Sequence, residues 1–161
     1  MPTLSDLTAD LPAQPLRPGE AITTEGGRSG RLYVLESGTL SVERGGVVLT
    51  RINTPGAVVG EMAALLDIPH SATVRAETVA QVRVLDDAAA RLSQNAELAL
   101  HIAMLACARL DATSALLVEL RKESAGKASE QTLLGKIFTA LVTTPPRPVG
   151  AGGRAAWIDH E

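Results

Sequence analysis

Gly60-Glu61-Met62-Ala63-Ala64-Leu65-Leu66-Asp67-Ile68-Pro69-His70-Ser71-Ala72-Thr73-Val74-Arg75-Ala76 is the stretch on which the fold turns. It predicts the end of a strand, a very short helix, a turn and a second strand. Glu61 to Leu66 are helix formers, and Pro69 stops the helix because it lacks an N–H donor. The start of such a helix exposes unpaired backbone N–H groups and the positive end of a dipole. These groups can hold a phosphate without any side-chain charge. Glu61 stands in the first turn, where a carboxylate can accept hydrogen bonds from a sugar hydroxyl. His70 and Ser71 follow the turn and offer donors to an anion. The bland alternative is punctuation: Glu61 merely suits the dipole, and His70 and Ser71 are exposed turn residues.

Short strands and tight turns surround this segment from Gly19 to Leu85. Leu32–Glu36 and Thr39–Glu43 flank Ser37-Gly38, a hairpin signal. Gly45-Gly46 supplies the positive φ angles of a two-residue turn before Val47–Ile52. Ala72–Glu77 and Val79–Leu85 read as two more strands. This spacing predicts a closed or two-layered β structure. Upstream, Ser5 is a candidate cap for one helical turn, and Pro12, Pro15 and Pro18 predict irregular chain. Downstream the pattern turns helical. Asp87–Ser93 is a short helix, and Asn95 caps a long one with Glu97 in its first turn. Gly126 is a plausible stop for it. Ser129–Val142 reads as a further amphipathic helix. Thr143–Gly153 is rich in Pro and Gly and predicts extended chain.

Composition narrows the function. Of 161 residues, 15 are Lys or Arg and 18 are Asp or Glu, giving a net charge of −3. That balance argues against a protein whose main task is holding DNA. Tyr33, Phe138 and Trp157 are the only aromatics, too few for base-stacking platforms. Cys107 is the single cysteine, which excludes an internal disulfide and a Cys-rich metal site. Three histidines without a His-x-His pair do not suit metal-dependent catalysis on a β-roll. The acidic N-terminus does not read as a signal peptide. The apolar run Leu98–Ala108 is interrupted by His101 and bounded by Glu97 and Arg109, so a bilayer span is not expected. A reduced cytoplasmic location follows.

The segment 60–76 closely resembles the phosphate-binding cassette of cyclic-nucleotide-binding domains: Gly-Glu, a small apolar helix, Pro-Arg, then small residues and Val, at the same spacing. Leu16–Ile22 and Gly30–Val42 resemble that family's opening strands and turn glycines. Asn95–Leu120 resembles its long C-helix. The resemblance covers about Leu16 to Glu123. It implies a mainly β fold with α: a cyclic-nucleotide-binding-like β-roll (double-stranded β-helix or jelly roll) with a short cassette helix and C-terminal helices. The implied organisation is an N-terminal segment 1–16, a roll 17–86 with its cassette at 59–76, helices 87–125, and an extra helix and tail 126–161.

The resemblance also implies a site for cAMP or cGMP. Gly60 would allow close backbone approach, and Glu61 would hold the ribose 2′-hydroxyl. The N–H groups of Met62, Ala63 and Ala72 would face the phosphate, with Ser71 adding a hydroxyl. Val59, Leu65 and Val74 would line or support the pocket. One departure stands out: His70 occupies the position of the family's arginine. Arginine offers a permanent charge and a fixed fork of donors, whereas histidine offers at most two. Weak nucleotide binding is the expectation, with Arg75 a possible substitute. The alternative is a non-binding scaffold or dimerisation module of the same fold. No catalytic residue or metal site is expected. The expected partners are the nucleotide, a second copy through the long helix, and an unidentified protein. The family's DNA-binding regulators append a winged helix-turn-helix. No turn-linked helix pair is visible after Glu123, so direct DNA binding is not expected.

Overall fold

A computed structural model describes residues 2–124 together with Lys136, Ile137 and Thr139. It divides at Ala99/Leu100 into two compact units, each described by itself. The expected stop at Gly126, most of the Ser129–Val142 helix and the Thr143–Gly153 stretch lie outside the described residues.

The first unit is built on two four-stranded antiparallel sheets. Its strands are β1 (Ala13–Leu16), β2 (Ala21–Thr23), β3 (Leu32–Ser37), β4 (Leu40–Arg44), β5 (Val47–Ile52), β6 (Val58–Val59), β7 (Thr73–Ala76) and β8 (Ala80–Leu85). One sheet has the order β1-β8-β3-β6 and the other β2-β7-β4-β5. Alternation along β7 and β8 sends Val74, Ala76, Ala80, Val82 and Val84 into a shared apolar core. Leu16, Ile22, Tyr33, Leu35, Leu40 and Val59 complete it. This is the β-roll that the strand spacing and the cassette motif predict.

Three local expectations change. Ser37-Gly38 does not join a hairpin: β3 pairs with β6 and β8, and β4 pairs with β5 and β7. The chain crosses here from one sheet to the other. It meets another crossing at Glu77–Val79, where Thr39 N–H donates to Thr78 Oγ1 at 3.0 Å and Glu77 N–H donates to Thr39 O at 2.8 Å. Pro15 lies in a strand rather than in irregular chain. β1 is an edge strand, where a missing N–H costs no ladder bond if it faces outward. The first helical turn, α1 (Leu4–Leu7), is capped by Thr3 through a capping box with Asp6, not by Ser5. The Gly45-Gly46 turn is as expected: both glycines have positive φ, 57° and 78°, between Arg44 and its partner Val47.

The cassette bridges the two sheets. β6 leaves the first sheet beside Tyr33 and Val34. The short helix α2 (Glu61–Leu66) follows, ending at Asp67 in the left-handed conformation, and β7 enters the second sheet. Pro69 stands beyond this stop rather than causing it. After β8, α3 (Ala88–Gln94) packs against α2.

The long helix α4 (Ala96–Glu123) begins where expected. The Asn95 side chain accepts from Leu98 N–H at 3.0 Å. The second unit is Leu100–Pro148, and its described residues include this helix from Leu100 onward. Leu100, Met104, Leu110, Leu116, Val118 and Leu120 are exposed along it. α4 has 28 residues and a window of mean hydropathy 1.4, so by length and composition alone it is long and apolar enough to cross a membrane.

Candidate functional site

Gly60 fixes the geometry at the start of α2. It is the N-cap with φ +88° and ψ −1°, a conformation that L side chains rarely adopt. A Cβ at this position would stand 2.7 Å from the Arg31 carbonyl oxygen. Both constraints require glycine. Because glycine has no side chain, no side-chain hydrogen bond caps α2. The amides of Met62 and Ala63 fall in the first turn, where the helix supplies no acceptor. Ala64 N–H closes the first intrahelical bond, to Gly60 O at 3.1 Å. Glu61 opens the helix as its one acidic first-turn residue and is half-buried. Met62, Leu65 and Leu66 are exposed on α2. Leu65 thus presents apolar surface outward, while Val59 and Val74, named with it as pocket residues, sit in the core.

The second half of the cassette is fastened to the loop between β2 and β3. Thr23, itself buried, receives Val74 N–H on its hydroxyl at 3.1 Å and donates to Ala72 O at 3.1 Å. Glu25 N–H donates to Thr73 Oγ1 at 3.0 Å. Arg28 Nη1 donates to Asp67 O at 2.9 Å and lies 3.1 Å from Asp67 Oδ1. His70 and the loop exchange backbone bonds: Gly26 N–H to His70 O and His70 N–H to Gly27 O, both 2.8 Å. None of these loop partners belongs to the 60–76 motif. Their only sequence signal is the glycine-rich run Glu25–Gly30.

His70 is not an exposed turn residue. Its side chain is buried at 6% relative exposure, with ring Nε2 3.0 Å from Ser29 Oγ. Burial pushes the imidazole pKa below the usual histidine value and so favours the neutral ring. Ser71 is exposed and Ala72 half-buried. Arg75 does not substitute for the missing arginine. The strand alternation that buries Val74 and Ala76 puts it on the opposite face, where it donates to Gly19 O and pairs with Glu43 at 3.8 Å.

With this geometry in place, similarity to known proteins becomes decisive. The cyclic nucleotide-binding domain family matches residues 13–92. Residues 13–92 belong to that family. The chain is 40% identical over 96 residues to a cAMP-dependent protein kinase regulatory subunit of Yarrowia lipolytica, covering 53% of this chain and 25% of that protein. It is 39% identical over 70 residues to the cGMP-dependent protein kinase egl-4 of Caenorhabditis elegans, covering 44% of this chain and 9% of that one. The chain therefore spans a quarter or less of these relatives. Among solved structures, the Thermus thermophilus catabolite activator protein is 27% identical with a TM-score of 0.62, over 78% of this chain and 62% of its own. The matched region is thus homologous to parts of a cAMP-dependent kinase regulatory subunit and of a cGMP-dependent kinase.

Proposed function

We propose that this domain is a regulatory sensor that binds cAMP or cGMP weakly at the cassette 60–73. The carrying observation is the start of α2: a positive-φ glycine pressed against the Arg31 carbonyl, opening a helix with no side-chain cap. In this reading the N–H groups of Met62, Ala63 and Ala72 and the Ser71 hydroxyl meet the cyclic phosphate. Glu61 accepts from the ribose 2′-hydroxyl. Val59 and Val74 hold the cassette from the core, and His70 adds one neutral donor where relatives place a charged fork. The domain carries information rather than chemistry, in a reducing cytoplasmic setting.

Glu61 gives a direct test. A hydrogen bond to a charged acceptor is worth about 1.5–3 kcal/mol, or roughly 10- to 150-fold in affinity. Glu61→Ala should weaken cAMP by about tenfold or more and leave 2′-deoxy-cAMP unchanged. Equal affinity of the wild type for the two nucleotides, by calorimetry, would remove Glu61 from the site. A second reading, a non-binding scaffold of the same fold, draws on the His70 ring already engaged by Ser29.

The sensor also works as a homodimer through α4. Leu100, Ala103, Cys107 and Leu110 recur at intervals of three and four residues and are all exposed. Leu110→Glu places a charge in that stripe. Sedimentation should then show a monomer where the wild type sediments as a dimer; an unchanged dimer would assign the contact to another surface.

A further inference from the structure

His70 is held at three points. Besides its two backbone bonds to the Gly26-Gly27 loop, its Nε2 lies 3.0 Å from Ser29 Oγ. Ser29 Oγ in turn accepts from Arg31 N–H at 3.3 Å. The Arg31 carbonyl is the group that closes on Gly60, and His70 Cε1 would stand 3.7 Å from a Cβ there. The ring therefore turns Nε2 toward the loop and its Cε1 edge toward the start of α2.

A neutral imidazole carries one N–H, and the partner of one nitrogen decides which nitrogen holds it. We propose that Ser29 is a positioning residue of the cassette: its hydroxyl donates to His70 Nε2, so the ring proton sits on Nδ1 and is offered to the ligand phosphate. The proposal rests on the cyclic nucleotide reading above. Its geometry is a one-directional relay, Arg31 N–H to Ser29 oxygen and Ser29 O–H to Nε2. Such a chain polarises each bond in turn. It fixes ring orientation as well as tautomer. The two side chains stand 41 positions apart, so the motif itself does not reveal the pair.

Two measurements test it. Long-range 1H–15N spectra of the ligand-free protein should show His70 as the Nδ1–H tautomer, and Ser29→Ala should populate both forms. An Nε2–H ring in the wild type overturns the proposal whether or not a nucleotide binds. In calorimetry with cAMP, His70→Asn keeps an amide donor near the Nδ1 position, while His70→Gln places one near Nε2. The asparagine variant should stay within about threefold of wild type, and the glutamine and Ser29→Ala variants should each lose about tenfold, with circular dichroism unchanged. Equal losses in the asparagine and glutamine variants overturn the proposal while nucleotide binding stands. Failure of the wild type to bind cAMP or cGMP would overturn the underlying reading and the phosphate role together, even with the Nδ1–H tautomer in place.

Discussion

Gly38→Ala is expected to lower the thermal midpoint of the domain by roughly 10 °C or more. Gly38 has φ +88°, and a Cβ there would stand 2.4 Å from Val79 O and 2.6 Å from both Ala80 Cα and Cβ. The left-handed conformation costs a non-glycine residue roughly 1–2 kcal/mol. Forcing apart packed backbone costs about 1–3 kcal/mol more. The β3–β4 and β7–β8 crossings would have to move together, because Thr39 is hydrogen-bonded to Glu77 and Thr78 across this contact. Gly45→Ala is the control: its φ is +57° and nothing lies within 4 Å of its Cβ position. It should cost only the conformational part, about 1–2 kcal/mol. Equal midpoints for the two variants in calorimetric scans would show that the corner yields without strain.

His70→Arg is expected to tighten cAMP or cGMP binding by about tenfold or more. The neutral ring offers one donor to an anion, whereas a guanidinium offers a fork of five with a permanent charge. The pH response should separate the two proteins. Burial lowers the His70 pKa, so the wild-type ring gains its charge only at a pH more acidic than an ordinary histidine needs. Wild-type affinity should therefore rise in acid, and the arginine variant should be flat across the same range. No gain in affinity, with the fold intact, would show that the cassette is limited by something other than the missing charge. It would favour the non-binding scaffold.

The roll was legible because its signals are local. Gly45-Gly46 names its turn, alternation of Val74, Ala76, Val82 and Val84 names two strands, and Asn95 names the start of α4. The start of the cassette helix was legible for the same reason, since Gly60-Glu61 carries both the backbone freedom and the acidic first turn. What stayed hidden depends on partners distant in sequence. Ser37-Gly38 looks like a hairpin turn, and only the pairing of β3 with β8 and of β4 with β7 shows it to be a corner. Pro15 looks like a breaker until β1 is seen to be an edge strand. The environment of His70 is set by Ser29 and the Gly26-Gly27 backbone, which no spacing rule within residues 60–76 contains. β6 is two residues long, too short to show any period.

In the proposed site, backbone amides at the start of α2 hold the phosphate of a cyclic nucleotide. Calorimetric titration of the purified chain with cAMP and cGMP, repeated with Gly60→Ala, tests it most directly. Saturation at one nucleotide per chain is expected, with a Kd on the order of micromolar for at least one ligand, and the variant should lose that signal. No heat with either nucleotide, or undiminished binding by folded Gly60→Ala, would contradict it.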